Sequence, residues 1–351
     1  MTGPNPIRVT LLVLYTSQLE ECRAFYAGLG LDFVAEQHGQ GPRHHAAVLT
    51  DGTVLELYPA RPGRLTGALR LGLAVDGAAA DPPLDAGHHQ LIDPDGRVVE
   101  IHALRRSAVH QQPITVVTGG SRGIGAAICA RLSADGHDIV LGYRADAAAA
   151  EAVASTVREA GRRCVAVRVD TTDEADVDRL FDAAEELGPV TGLVNNAGVS
   201  GPNGRLADAD AAGMRRALEV NVLGYLLCAR RAVRDMARNG GGAVVNISSA
   251  AATLGSPGQY VHYAAAKAAV DAMTVGLSKE VAADGIRVNC VAPGTIWTEF
   301  HEDPQRPAKI AASIPLGRAG RPEEIAGAVS WLLSADAGYA TGTVLRVAGG
   351  L

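Results

Sequence analysis

Aromatic residues make up only 4% of the 351 positions, and cysteine occurs five times, at Cys22, Cys129, Cys164, Cys228 and Cys290. The cysteines are scattered, odd in number and never spaced as Cys-x-x-Cys. That excludes a disulfide framework and a cysteine-based zinc site, and fits a reducing cytoplasm. No uninterrupted apolar run reaches the ~18 residues a membrane span requires. The opening MTGPNPIRVTLLVLYTSQLEE has neither a cationic start nor a small-residue cleavage site. Basic blocks are also missing: 32 Lys+Arg against 38 Asp+Glu leave a net charge of -6, with no footprint for nucleic acid. These absences predict a soluble cytoplasmic protein with no nucleic-acid and no membrane partner. Hydrophobic residues are plentiful at 47%, which rules out a disordered chain. Forty-one glycines gather in short motifs instead of a repeat, the pattern of a backbone approaching a ligand.

The length exceeds one ordinary domain, and a polar, basic break, LRRSAVHQQP, closes at Pro113. It predicts a first domain over 1–105, a linker over 106–112 and a second domain over 113–351. In the second domain, ITVVTGG, HDIVLGYR, RCVAVRVD, TGLVNNAG, GAVVNISS, IRVNCVAPG and VLRVAGG are nearly continuous apolar runs, as strands covered on both faces require. Helical stretches alternate with them, so the expected fold is α/β, a doubly wound parallel Rossmann-type sheet. The first domain reads as a smaller α+β unit: a strand, a helix with Leu19, Cys22, Tyr26 and Leu29 on one face, then three strands. A shortened second copy follows and ends in a hairpin turned by Pro94-Asp95-Gly96, a βαβββ pseudo-repeat.

Gly119-Gly120-Ser121-Arg122-Gly123-Ile124-Gly125 follows a strand and opens a helix, where backbone can approach a pyrophosphate at the helix N-terminus. The second strand ends in LGYR rather than in an acidic residue. Arg144 can therefore pair with the 2′-phosphate of NADP, with Arg122 closing on the same group. The alternative is two solvated arginines. NADP(H) is the expected cofactor.

With these motifs the second domain resembles the short-chain dehydrogenase/reductase family along its whole length. TGGSRGIG at 118–125, Asp170, Asn195-Asn196-Ala197-Gly198, Asn221, Ser249, Tyr263 with Lys267 in YAAAK, and Pro293-Gly294 carry the resemblance in order. It implies that Asp170 and Thr171 border the adenine. Asn196, Ala197 and Gly198 would support the central strand and cofactor, and Ile296 and Thr298 would hold the nicotinamide carboxamide. Much of the domain is similar to 3-oxoacyl-carrier-protein reductases and to sugar or polyol dehydrogenases.

Tyr263 and Lys267 stand i and i+4, one helix face. A phenol with its ordinary pKa near ~10 is a weak acid-base catalyst at neutral pH, and a nearby ammonium is expected to lower it. The resemblance implies a Ser-Tyr-Lys-Asn mechanism. Ser249 holds the substrate oxygen, Lys267 also binds the nicotinamide ribose, and Asn221 anchors a water that links Lys267 to solvent. Ser249 precedes Tyr263 by one position more than the commonest family spacing. Ser248 restores that spacing, while Ser249 follows NIS at the strand end and is the choice here. Tyr260 lacks a cation at i+4 and reads as pocket lining. Glu299 to Ile314, with His301, Arg306 and Lys309, reads as a mobile lid over the substrate. Asn239 to Gly242 and Ala283 to Gly285 carry no basic residues for an acidic carrier protein, which favours a free small-molecule carbonyl or alcohol.

The first domain resembles the glyoxalase/bleomycin-resistance (vicinal oxygen chelate) group through LEECRAFYAGLGLDFV, VLELYPA and DPDGRVVEIHAL. Of the four metal-ligand positions that the resemblance implies, Glu56 and Glu100 could ligate; Leu11 and Arg70 cannot. His44 and His45 are adjacent on a strand and point to opposite faces. The expectation is a shortened domain without metal that binds a ligand, stabilises the assembly or caps the reductase. An NADPH-dependent ketoreductase is thus the leading reading. The alternatives are a bifunctional protein with an added isomerase or lyase step, and a non-redox cofactor-binding protein. The family resemblance also implies a homotetramer or homodimer packed through the helices bearing Asn221 and Tyr263 and the C-terminal strand.

Overall fold

The computed structural model describes residues 10–39, 41–49, 52–85, 87–104, 112–300 and 303–351, and the chain divides into two compact units, Met1–Val109 and His110–Leu351. The expected linker 106–112, apart from Gln112, lies outside the described residues, as does His301 of the expected lid.

In the first unit, β1 (Leu11–Thr16), α1 (Leu19–Gly28), β2 (Val34–Glu36), β3 (His44–Val48) and β4 (Val54–Pro59) form a sheet in the order β1-β4-β3-β2. β4 runs parallel to β1 and antiparallel to β3, which runs antiparallel to β2. Cys22 and Tyr26, one turn apart on α1, press with Leu14, Leu55 and Leu57 into one core. The second copy is smaller: β5 (Arg70–Asp76), β6 (Gly87–Ile92) and β7 (Val98–Leu104) in the order β5-β7-β6. A short 3₁₀ turn, Gly77–Ala79, follows β5 where the first copy has its helix. The turn between β6 and β7 is locked by a buried ion pair, Arg97 Nε to Asp93 Oδ2 at 2.6 Å. Tyr26 donates its hydroxyl to the same carboxylate at 3.0 Å, and Arg97 reaches the Tyr15 carbonyl at 3.3 Å, tying the hairpin to the first sheet.

The second unit carries β8 (Ile114–Thr118), α2 (Gly123–Ala134), β9 (Asp138–Tyr143), α3 (Ala147–Glu159), β10 (Cys164–Arg168), α4 (Glu174–Glu185) and β11 (Val190–Asn195). It continues through α5 (Ala211–Leu218), α6 (Gly224–Arg238), β12 (Gly242–Ile247), α7 (Ala251–Leu254), α8 (Val261–Glu280), β13 (Ile286–Pro293), α9 (Arg306–Ile310), α10 (Pro322–Leu333) and β14 (Val344–Val347). The seven strands form one parallel sheet, β10-β9-β8-β11-β12-β13-β14. Every residue of β8 is buried, because α2, α3 and α10 cover one face through Ile128, Leu132, Ala154 and Val329 while α4 and α6 cover the other through Leu180, Phe181 and Cys228. Helix starts are set by local chemistry: Asp146, Asp173 and Asp210 accept backbone N–H bonds at the heads of α3, α4 and α5. Strand order reverses between β8 and β11, which opens a crevice at their carboxyl ends. No helix among the described residues is long and apolar enough to cross a membrane.

Candidate active site

A cavity of about 800 Å³ fills that crevice, and every residue expected to hold the cofactor lines it, from Gly119 and Ser121 to Ile296 and Thr298. The turn from β8 into α2 demands its glycines. Gly119 sits at φ +65°, and a Cβ on Gly125 would stand 2.1 Å from the Gly119 carbonyl oxygen. Asn196 locks the turn from below, its amide donating to the carbonyls of Thr118 at 3.0 Å and Gly119 at 2.9 Å. No side chain caps α2, so its first backbone N–H groups are left for a ligand in the cavity. This uncapped, glycine-rich cradle suits the pyrophosphate of a dinucleotide.

α8 places Tyr263 and Lys267 on one face, where both line the same cavity. Ser249 hydrogen-bonds the Tyr263 phenol, whereas the Ser248 hydroxyl is spent on the Lys267 carbonyl at 3.1 Å. Lys267 Nζ donates to the Ile247 carbonyl at 2.8 Å and to the Tyr225 hydroxyl at 3.1 Å, 5.8 Å from the centre of the Tyr263 ring. Here one expectation needs correcting. Burial pushes the Tyr263 phenol up to about 12, against the opposing pull of the Ser249 bond, and Lys267 does not bring it down. The same burial lowers Lys267 to about 8. Desolvation outweighs charge proximity because the ammonium is turned toward Tyr225 and Ile247.

Asn221 lies behind the cavity wall, fully buried, in a π-helical turn at Glu219–Leu223 between α5 and α6. Its amide donates to the carbonyls of Val199 at 2.7 Å and Ala217 at 2.8 Å, pinning the segment after Gly198. Tyr225, which the sequence reading passed over, completes this corner: its hydroxyl donates to Ile247 O at 3.0 Å. Its place i+4 from Asn221 was a signal, but an internal helical tyrosine reads as core.

Arg144 follows β9 and keeps 64% of its side chain exposed at the cavity, 3.5 Å from Asp170. Arg122 is similarly open, 3.8 Å from Glu299. Burial raises the Asp170 carboxyl, yet hydrogen bonds from Thr172 and Arg216 outweigh it and hold the group below its ordinary range. In the expected lid, Lys309 is paired with Asp303 at 2.7 Å, and Arg306 binds Gln259 at 2.7 Å beside the Tyr260 ring. Phe300, 6.0 Å from Tyr263 between ring centres, adds an apolar wall that the sequence reading did not single out.

In the first unit, the four positions implied by resemblance do not assemble a metal site. Arg70 pairs with Glu100 at 2.9 Å, and Leu11 offers no donor. His44 and His45 do face opposite ways: His44 is buried beside Glu56, and His45 bonds Glu20 of α1 at 2.9 Å.

A family model described as Enoyl-(Acyl carrier protein) reductase matches residues 119–351. The uncharacterized oxidoreductase YgfF of Escherichia coli (strain K12) is 46% identical over 244 residues, 68% of this chain and 99% of that protein. A short-chain type dehydrogenase/reductase from Mycobacterium marinum is similar in structure, with a TM-score of 0.65 at 33% identity over 68% of this chain and 94% of that one. A blue fluorescent protein from a metagenomic library, solved in complex with NADPH, gives a TM-score of 0.64 at 37% identity, over 68% of this chain and 97% of its own.

Proposed function

The chain belongs to the short-chain dehydrogenase/reductase family through residues 119–351, and on that premise we propose that it is an NADPH-dependent carbonyl reductase acting on a small-molecule ketone, or on the alcohol in reverse. The observation that carries this reading is a phenol, Tyr263, bonded by Ser249 and followed one turn later by Lys267, facing the same cavity as the glycine turn. A nicotinamide held in the cavity would supply a hydride to the carbonyl carbon. Tyr263, protonated across neutral pH because burial raises it, gives its proton to the carbonyl oxygen, and Ser249 holds that oxygen in reach. Ser249, whose hydrogen bond already pulls the Tyr263 phenol down, steadies the phenolate left behind, and Lys267 would hold the nicotinamide ribose. Asn221 positions the Val199 segment, and would anchor a water linking Lys267 to solvent.

Arg144 and Arg122 select the 2′-phosphate: two exposed guanidiniums reach the cavity where a ribose-binding carboxylate would follow the second strand. The first unit is read as a glyoxalase-like accessory domain, supported by its βαβββ sheet and shortened second copy. Assembly as a homodimer or homotetramer is supported by Leu218, Leu223, Leu226 and Val275, apolar side chains exposed on α5, α8 and the turn and helix between them. The test is binding of NADPH and NADH to wild type and Arg144→Asp, with transfer of deuterium from C4-deuterated NADPH to a ketone panel. Tight NADPH binding, weakened in the variant, and deuterium in the product alcohol are expected. Equal affinity for both nucleotides overturns the cofactor preference, and no deuterium in any product overturns the reductase.

A further inference from the structure

In the first unit, the face of the sheet turned away from α1 gathers four donors that no position of the family resemblance except Glu56 anticipates. Strand register brings three of them together: Glu36 of β2 lies opposite His44 of β3, and Glu56 of β4 lies opposite Ala46, two residues along the same face. His38, just beyond β2, returns to the cluster with Nε2 3.5 Å from Glu36 Oε2. One ligand atom from each of the four residues lies within 4.8 Å of all the others.

The state of His44 turns this cluster from a polar patch into a site. Its side chain is wholly buried, stacked on Tyr58 with ring centres 4.0 Å apart and planes 11° from parallel. Nδ1 stands 3.4 Å from the Pro42 carbonyl, which can only accept, so Nδ1 carries the proton. Nε2 then presents its lone pair inward, buried and without a hydrogen-bond partner among the described residues, 3.8 Å from Glu36 Oε2 and 3.9 Å from Glu56 Oε1. A histidine that donates one ring N–H to a carbonyl while aiming the other nitrogen at carboxylates has the tautomer and orientation of a metal ligand.

We infer that Glu36, His38, His44 and Glu56 bind a divalent first-row transition metal ion, with Zn²⁺ the best match. Two imidazoles and two carboxylates form a borderline donor set suited to that class. Ligands about 2.1 Å from a tetrahedral ion stand about 3.4 Å apart, so the cluster closes on it by small movements of Glu36 and His38, which are 41% and 68% exposed. Four protein ligands leave no open position, so the ion is structural. It clamps the three-residue edge strand β2 to the two strands inside it.

The test uses the untagged full chain, stripped with chelator and titrated with Zn²⁺ alone, with metal content by mass spectrometry and affinity by chelator competition. One tightly held equivalent per chain is expected. The exposed-side double variant Glu36→Gln/His38→Ala should lose more than about 100-fold in affinity, beyond the 10–100-fold that outer-shell partners cost. His44→Asn should abolish binding. If that buried change unfolds the unit, the double variant still decides. His88→Ala, at the stacked His88–His102 pair outside the cluster, should bind like wild type. Zn²⁺ affinity unchanged in the double variant, or no equivalent bound at micromolar Zn²⁺, overturns the site.

Discussion

The two units build their sites by opposite means. In the second, the proposed site residues come from short stretches of chain, most of them where strands end: the glycine turn after β8, Asn196 to Gly198 after β11 and Ser249 after β12, with Tyr263 and Lys267 one turn apart on α8. In the first, the Glu36, His38, His44 and Glu56 cluster is assembled across three strands and exists only because their register puts those side chains on one face. A site made of local motifs survives in the sequence as spacing. One made by register does not, because the sequence does not record which residues lie opposite one another.

The contrast can be broken or sharpened by experiment, beginning with the largest effect. Tyr263→Phe removes the proposed proton donor and keeps the ring, so turnover should fall by about 10²–10⁴ while NADPH affinity stays close to wild type. Stopped-flow NADPH oxidation beside a binding titration reads both, and a variant with near-normal turnover would dismiss Tyr263 as the acid. Arg97→Met leaves the Asp93 carboxylate buried without its cation in the first unit, at a cost of about 3–5 kcal/mol. Hydrogen exchange over β6, β7 and α1 should show the loss of protection, and unchanged exchange would remove the ion pair from the account. Arg144→Asp should weaken NADPH binding by about 10–100-fold relative to NADH, the worth of a charge-assisted bond to the 2′-phosphate.

The smallest effect concerns pH. Lys267 titrates near 8 in the folded protein, below the free lysine value, so between those limits the unfolded chain binds more protons and stability rises with pH. Below that window Lys267 is charged in both states, and its burial is a standing penalty. Denaturant unfolding of the cofactor-free chain at about pH 7.5 and about pH 9.5 should show this rise relative to Lys267→Met. A variant with the same slope as wild type would mean that Lys267 is not the group responsible.

Most of the second unit was legible. Nearly continuous apolar runs marked the strands, most clearly β8 and β9 inside the sheet, where burial on both faces leaves no room for polar alternation. The choice between Ser248 and Ser249 depended on which hydroxyl the strand end turns toward the Lys267 carbonyl, a contact nineteen residues away in sequence. Tyr225 escaped notice because its hydroxyl acts through Lys267 and Ile247 on other elements. The expected lowering of the Tyr263 phenol failed for a related reason: spacing i, i+4 guarantees a shared face but not where the ammonium points, and it points at Tyr225. In the first unit, α1 and its core were readable from Cys22 and Tyr26, and so was the divergence of His44 from His45. That His44 turns toward Glu36 and Glu56 was not, since it follows from pairing with β2 and β4.

The central claim is that the second unit reduces carbonyls with NADPH through Tyr263, and the most direct measurement is the initial rate of NADPH oxidation. Wild type and Tyr263→Phe would be run side by side over ketones, β-keto thioesters and keto-sugars. The account predicts turnover of at least one small ketone by wild type, lost in the variant, with both proteins binding NADPH. Failure of wild type to bind NADPH, or equal turnover by the two proteins, would contradict it.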